Sequence, residues 1–151
     1  MTTMDTTGGL DHAEMLRLLR ASPIARIAFT VDDQPYALPV NCACDEHGRV
    51  VFRTGDHSLL GGLAGQQVGV EVDGYDVTAR AGWCVLVLGR ASEITAVGDQ
   101  TMQRLRRLDV VPWAPGPRDR WFVVEPQSMS GRRVADPGGS VAGWFAGIPS
   151  S

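Results

Sequence analysis

The spacing of apolar positions changes once, early in the chain. Over residues 11–21, Met15, Leu16 and Leu19 fall on one stripe at helical spacing, and Asp11 with Glu14 makes a capping-box start. Ser22-Pro23 closes this helix, because the residue before a proline avoids the helical region. The period then becomes two. Ala25, Ile27, Phe29 and Val31 alternate with Ile24, Arg26, Ala28 and Thr30, which predicts a strand with one buried face. Residues 32–35 (DDQP) read as a turn and residues 36–44 as a second strand, in which Pro39 implies an edge or a break in pairing. Residues 45–48 form a second turn and residues 49–54 a third strand, giving a meander.

Beyond a short helical segment at 58–64, QVGVEVD (67–73) returns as a strand and 74–82 reads as a loop. Residues 83–95 form a long apolar strand, with Gly89 marking a bulge or a bend. Residues 99–108 carry Met102, Leu105 and Leu108 on one helical stripe, 111–118 read as a rigid connector, and 120–125 as a last strand. The organisation is a flexible leader at 1–10, one domain at 11–134, and a Gly/Ala/Pro-rich tail at 135–151 that is expected to be mobile. Six strands, a few short helices and no βαβ alternation predict a mainly β (α+β) fold, an antiparallel barrel.

Composition narrows the function classes. A net charge of −3 argues against nucleic acid as a partner, since that would need a basic face. No stretch has the length of a membrane span. Cys42, Cys44 and Cys84 are an odd set and no apolar leader precedes them, so a cytoplasmic chain with reduced thiols is expected. Asn41 is the sole asparagine and lacks an acceptor motif for glycosylation. All 14 basic residues are arginine.

Two segments carry candidate chemistry. In VVFRTGDHSLLGGL (50–63) a strand ends in Arg53-Thr54, turns at Gly55 and enters a serine-led helix start. That order suits an anion, which the arginine fork and free N–H groups would hold. Helix capping by Thr54, Asp56 and Ser58 is the competing explanation. In ALPVNC (37–42) a proline and an amide interrupt an apolar strand. Such an edge offers mixed donors and acceptors to a planar ligand. Other constellations are weaker. Cys42, Cys44 and His47 are too few for a metal site, and buried small hydrophobes are the better account of the cysteines. Asp56-His57-Ser58 has triad residue types, but sequence neighbours rarely converge as a triad. Arg104, Arg106 and Arg107 read as a solvated helix face, and Arg132 and Arg133 either as cations that reach an anion or as part of a polar C-terminal loop.

The linked order of ASPIARIAF, DDQPYALPVN, GRVVFRTG, EVDG, GWCVLVLGRA, PWAPGPRDRW and GRR resembles the pyridoxamine 5'-phosphate oxidase-like, FMN-binding split-barrel family, and within it the small actinobacterial members. The resemblance spans roughly residues 11–134. It implies a six-stranded split barrel that forms a homodimer, with FMN in clefts between protomers. By position, residues 37–42, including Pro39, Val40, Asn41 and Cys42, would run along the flavin ring. Arg53 and Thr54 would contact the phosphate or ribityl chain, and Ser58 and Leu59 would cradle the phosphate. Trp83 and Cys84 begin a strand that touches the ring, and Trp113 would reach the cleft from the partner chain. Relatives carry a lysine near Ser58; its absence here leaves Arg53 to bear the charge. The implied activity is flavin-dependent oxidation or reduction of a small-molecule substrate. A deazaflavin-dependent reductase is an alternative. So is a non-catalytic flavin or haem protein serving as sensor or store, with His47 or His57 as axial ligand. The substrate motifs of vitamin B6 synthesis are not evident.

Overall fold

The computed structural model describes residues 7–95 and 97–135. Its elements are β1 (Thr7–Gly9), α1 (His12–Ala21), β2 (Ile24–Val31), β3 (Gln34–Cys44), β4 (Val50–Thr54), a 3-10 turn (Leu59–Gly62), β5 (Gln67–Asp76), β6 (Ala81–Ile94), α2 (Gln100–Leu105) and β7 (Arg120–Val134). All strand pairs are antiparallel. They run β7-β4-β3-β2-β5-β6 and return from β6 to β7, so six strands close a ring. The expected six-stranded barrel with few helices is the observed fold.

The helix cap is as read from sequence: Asp11 Oδ1 accepts from the Glu14 backbone N–H at 2.8 Å, and Leu18 and Leu19 are buried below. Alternation in β2 turns Ala25, Ile27 and Phe29 inward. The centre of the barrel is filled by side chains such as Phe52 and Phe122, whose rings stack at 5.6 Å. Closure depends on β7. Its first residues pair with β4 on one side and β6 on the other, and its remainder continues along β6. The pairing slips between Leu88 and Gly89, as the glycine had suggested.

Three differences from the sequence reading matter. The last strand is not limited to 120–125; it extends to Val134, so Arg132 and Arg133 lie on a strand opposite Cys84 and Trp83 rather than in a loop. Thr7–Gly9, expected within the leader, pair with that extension as a strand. The helix expected at 99–108 is shorter, with Asp99 as its cap. The proposed mobile tail lies outside the described residues, apart from Ala135.

Two features position the candidate site. Residues 34–41 of β3 pair with β2, whereas only Cys42–Cys44 pair with β4. The barrel is therefore split beside Pro39, and among the described residues no strand pairs with the second edge of this half of β3. In addition, β4 is buried on both faces. Val50 and Phe52 point into the barrel, while Val51 packs outside it with Ile94, Leu105, Val110 and Val123. Arg53 follows Val51 by two residues and so faces outward too, under the connector that joins α2 to β7.

The outer face of β2, β5 and β6 carries an unusual carboxylate. Arg26 Nη1 reaches Asp73 at 3.1 Å and Glu71 at 3.6 Å, but Glu71 Oε1 is buried with no partner. Burial pushes the Glu71 carboxyl up to about 7; Asp73 acts in the same direction and Arg26 opposes. A carboxyl raised on folding stabilises the fold fully below its unfolded value near 4.5 and loses that contribution as pH rises through about 7. The melting temperature is therefore expected to drop by a few degrees between about pH 5 and pH 8. Glu71→Gln should show a smaller drop, and equal drops in parent and variant would refute this.

Candidate functional site

At the split, β3, β4, the 3-10 turn and the α2–β7 connector enclose a hollow of about 160 Å³. Pro39, Val40, Asn41, Arg53, Thr54 and Ser58 line it, so six of the residues singled out from sequence converge. Leu60, Pro112, Ala114 and Arg118 complete the wall. A second hollow of about 460 Å³ adjoins through Ser58 and Arg118, and also exposes Gly55, Asp56, His57, Pro117 and Asp119.

Local chemistry explains each position. Ser58 caps the 3-10 turn, its Oγ accepting from the Leu60 N–H at 3.1 Å; its own O–H remains a donor. Asn41 Oδ1 accepts from the Trp113 backbone N–H at 2.8 Å and so pins the connector over β3. That contact uses the acceptor end of the amide and leaves the NH2 end for a ligand. Arg53 donates from Nε to the Arg118 carbonyl at 3.0 Å and from Nη1 to the Val110 carbonyl at 3.3 Å. Its guanidinium also lies 4.9 Å from the ring of Trp121, its cross-strand neighbour. Thr54 is buried. Gly55 allows the connector to approach, since a Cβ there would stand 3.1 Å from the Pro117 carbonyl oxygen.

Four predicted residues are not among those that line this hollow. Cys42 points into the barrel with Val40 and Cys44, because alternation along β3 turns it inward; its thiol donates to the Ser22 carbonyl at 3.4 Å. Burial pushes both the Cys42 and Cys44 thiols up to about 12, which keeps them protonated. Leu59 is exposed on the 3-10 turn, and Leu60 takes the place expected for it. Trp83 is a core residue whose indole covers Gly74 on β5, and the hollow beside it (Asp73, Tyr75, Cys84, Arg132) lies between β5, β6 and β7. Trp113 stands at the rim, its backbone N–H held by Asn41 of the same chain and its side chain facing solvent; its approach to a cleft from a partner chain remains an expectation of the dimer reading. Among the other constellations, Asp56, His57 and Ser58 all face the second hollow but share no hydrogen bond, so they form no triad. Arg106 is half-buried against Trp121 rather than solvated.

The sequence model of the pyridoxamine 5'-phosphate oxidase family matches residues 11–133, the whole barrel. The chain belongs to the pyridoxamine 5'-phosphate oxidase family. It is 32% identical over 131 residues to the uncharacterized protein Rv0080 of Mycobacterium tuberculosis, covering 83% of this chain and 84% of that one. Its fold is similar to the FAD binding protein from Mycobacterium smegmatis, with a TM-score of 0.70, 27% identity, and coverage of 85% of this chain and 100% of the other. It is similar as well to the conserved protein of unknown function DIP1874 from Corynebacterium diphtheriae, with a TM-score of 0.71, 26% identity and coverage of 87% and 100%.

Within this oxidase-family barrel, sequence reasoning missed Arg118, Pro112 and Ala114. All three sit in the connector, whose proline-rich text signals rigidity but not where it folds. The family match says nothing of a metal, and among the described residues no cluster of three His, Cys, Asp or Glu is placed to hold one. No helix among them is long and apolar enough to cross a membrane.

Proposed function

We propose that this protein is a flavin-dependent oxidoreductase acting on a small molecule. Its first hollow would take the FMN portion of a flavin nucleotide, whether FMN itself or a dinucleotide that contains it. The observation that carries this reading is the convergence of an open strand edge with a polar end in one hollow. The free edge of β3 and the Asn41 amide suit the donor and acceptor rim of an isoalloxazine ring. Arg53, Thr54, Ser58 and Arg118 suit a ribityl chain and phosphate. The FAD binding protein from M. smegmatis gives independent support for a flavin. When bound, the flavin supplies the hydride or electron chemistry. The protein orients the ring along β3, fixes the phosphate end and shields one face under the connector. The three free cysteines agree with work in a reducing cytoplasm.

The same reading makes the protein a homodimer with sites shared between protomers. The first hollow alone, about 160 Å³, is smaller than the roughly 300–1,000 Å³ of a complete ligand pocket, and a second chain seated at the split would enlarge and close it. The outer barrel face offers a surface for that. Leu86 and Leu88 lie over Gly69 beside Ala28, and Leu88 is 43% exposed. The purified protein should sediment as a dimer at micromolar concentration; a monomer would remove the shared-site reading. The flavin itself is tested by the absorbance spectrum of freshly purified protein, followed by mass identification of the released cofactor. A flavin spectrum is expected. A deazaflavin or haem spectrum would replace this proposal.

A further inference from the structure

We infer that Arg118, rather than Arg53, is the cation that holds the phosphate of the bound flavin nucleotide. This rests on the flavin reading above and assigns the charged end of that site. The two arginines differ in what already occupies them. Arg53 has Nε and Nη1 committed to the backbone carbonyls of Arg118 and Val110, and its guanidinium lies near the Trp121 ring. It is built into the wall. Arg118 lines both hollows, where they meet at Ser58, and among the described residues no hydrogen bond or ion pair takes up its guanidinium. It extends toward Gly55, where a Cβ would lie 3.8 Å from its Nη1.

The surrounding charges favour the same choice. Arg120, the other cation nearby, is paired with Glu93 through two contacts of 2.9 Å. Asp56 and Asp119 face the second hollow. They repel an anion from that side and favour its placement at the junction, against the Ser58 hydroxyl and the Arg118 fork. A guanidinium with two free N–H groups side by side matches two phosphate oxygens at once. Arg118 thereby does the work for which a lysine would serve, in a chain that has none. The Arg53–Arg118 contact gives the wall a second role. Because Arg53 holds the backbone carbonyl of Arg118, it positions the free guanidinium without touching the phosphate.

Titration of FMN and of riboflavin, followed by flavin fluorescence quenching, tests this assignment. Riboflavin lacks the phosphate, so the ratio of the two affinities reads the phosphate contact alone. Arg118→Ala keeps the backbone carbonyl that Arg53 binds, and an unchanged far-UV circular dichroism spectrum will verify the fold. It should weaken FMN binding by about tenfold to a hundredfold while leaving riboflavin binding as in the parent. Arg118→Lys should recover part of the loss, since charge returns without the fork. If the parent prefers FMN and Arg118→Ala prefers it equally, or if the variant weakens both ligands alike, this assignment is overturned and the flavin reading stands. If the parent binds neither ligand, the flavin reading falls and the assignment falls with it.

Discussion

Gly89→Ala is expected to destabilise the barrel by about 3 kcal/mol or more, a large share of the roughly 5–15 kcal/mol that holds a domain folded. Gly89 faces the interior at the point where β7 slips its register against β6. A Cβ there would run into the Glu125 carbonyl oxygen, with Val124 Cγ1 close behind at 3.1 Å. The obstacle is backbone, so no rotamer change relieves it. Either β7 moves away from β6, which opens the ring, or the bulge is lost and the pairing beyond it shifts. Chemical denaturation will measure the loss. A midpoint within experimental error of the parent would mean that the ring does not close through this contact.

Arg53→Ala should have the second largest effect, and it should act on stability and on binding together. The substitution leaves the carbonyls of Val110 and Arg118 without their donor, at a cost of about 2–3 kcal/mol. It also removes the contact with Trp121. The connector then loosens over the first hollow, and FMN and riboflavin should weaken by a similar factor, about tenfold. Arg53→Lys should recover little, because a lysine cannot reach both carbonyls and cannot stack as a guanidinium does. Parallel titrations with the two flavins decide the matter. A loss confined to FMN would make Arg53 the phosphate ligand and refute the wall role.

The fold was legible where burial imposes a period. β2 has one wet face, and its alternation identifies it; β6 is long and apolar enough to be seen despite its glycine. The second half of β7 was not legible. Residues 126–134 read PQSMSGRRV, a text of turn formers and cations, yet all but Gln127, which the register shift skips, pair with β6. Their strand character comes from a neighbouring edge that needs partners, and no local pattern records that need. The same holds for Thr7–Gly9, three residues that pair with Arg132–Val134.

The candidate site was legible in part for a similar reason. Arg53, Thr54 and Ser58 stand close together in sequence, so a local motif could flag them. Alternation puts the Cys42 side chain on the inward face with Val40 and Cys44, where it packs in the core. Trp83 could not have been placed, because the slot it fills is made by Gly74 on another strand. Arg118 lies 60 residues beyond Ser58, in a connector whose path is set by Asn41 and Arg53. What makes it a candidate is the absence of a partner, and only the assembled structure reveals that.

The central claim is that the hollow between β3, β4 and the α2–β7 connector receives the flavin. Amide hydrogen exchange with and without saturating FMN, read by mass spectrometry, tests it most directly. Exchange should slow in three segments, residues 34–44, 53–62 and 110–119, with the rest of the barrel little changed. Protection confined to the hollow between β5, β6 and β7 around Tyr75 and Cys84, with none at residues 53–62, would contradict it.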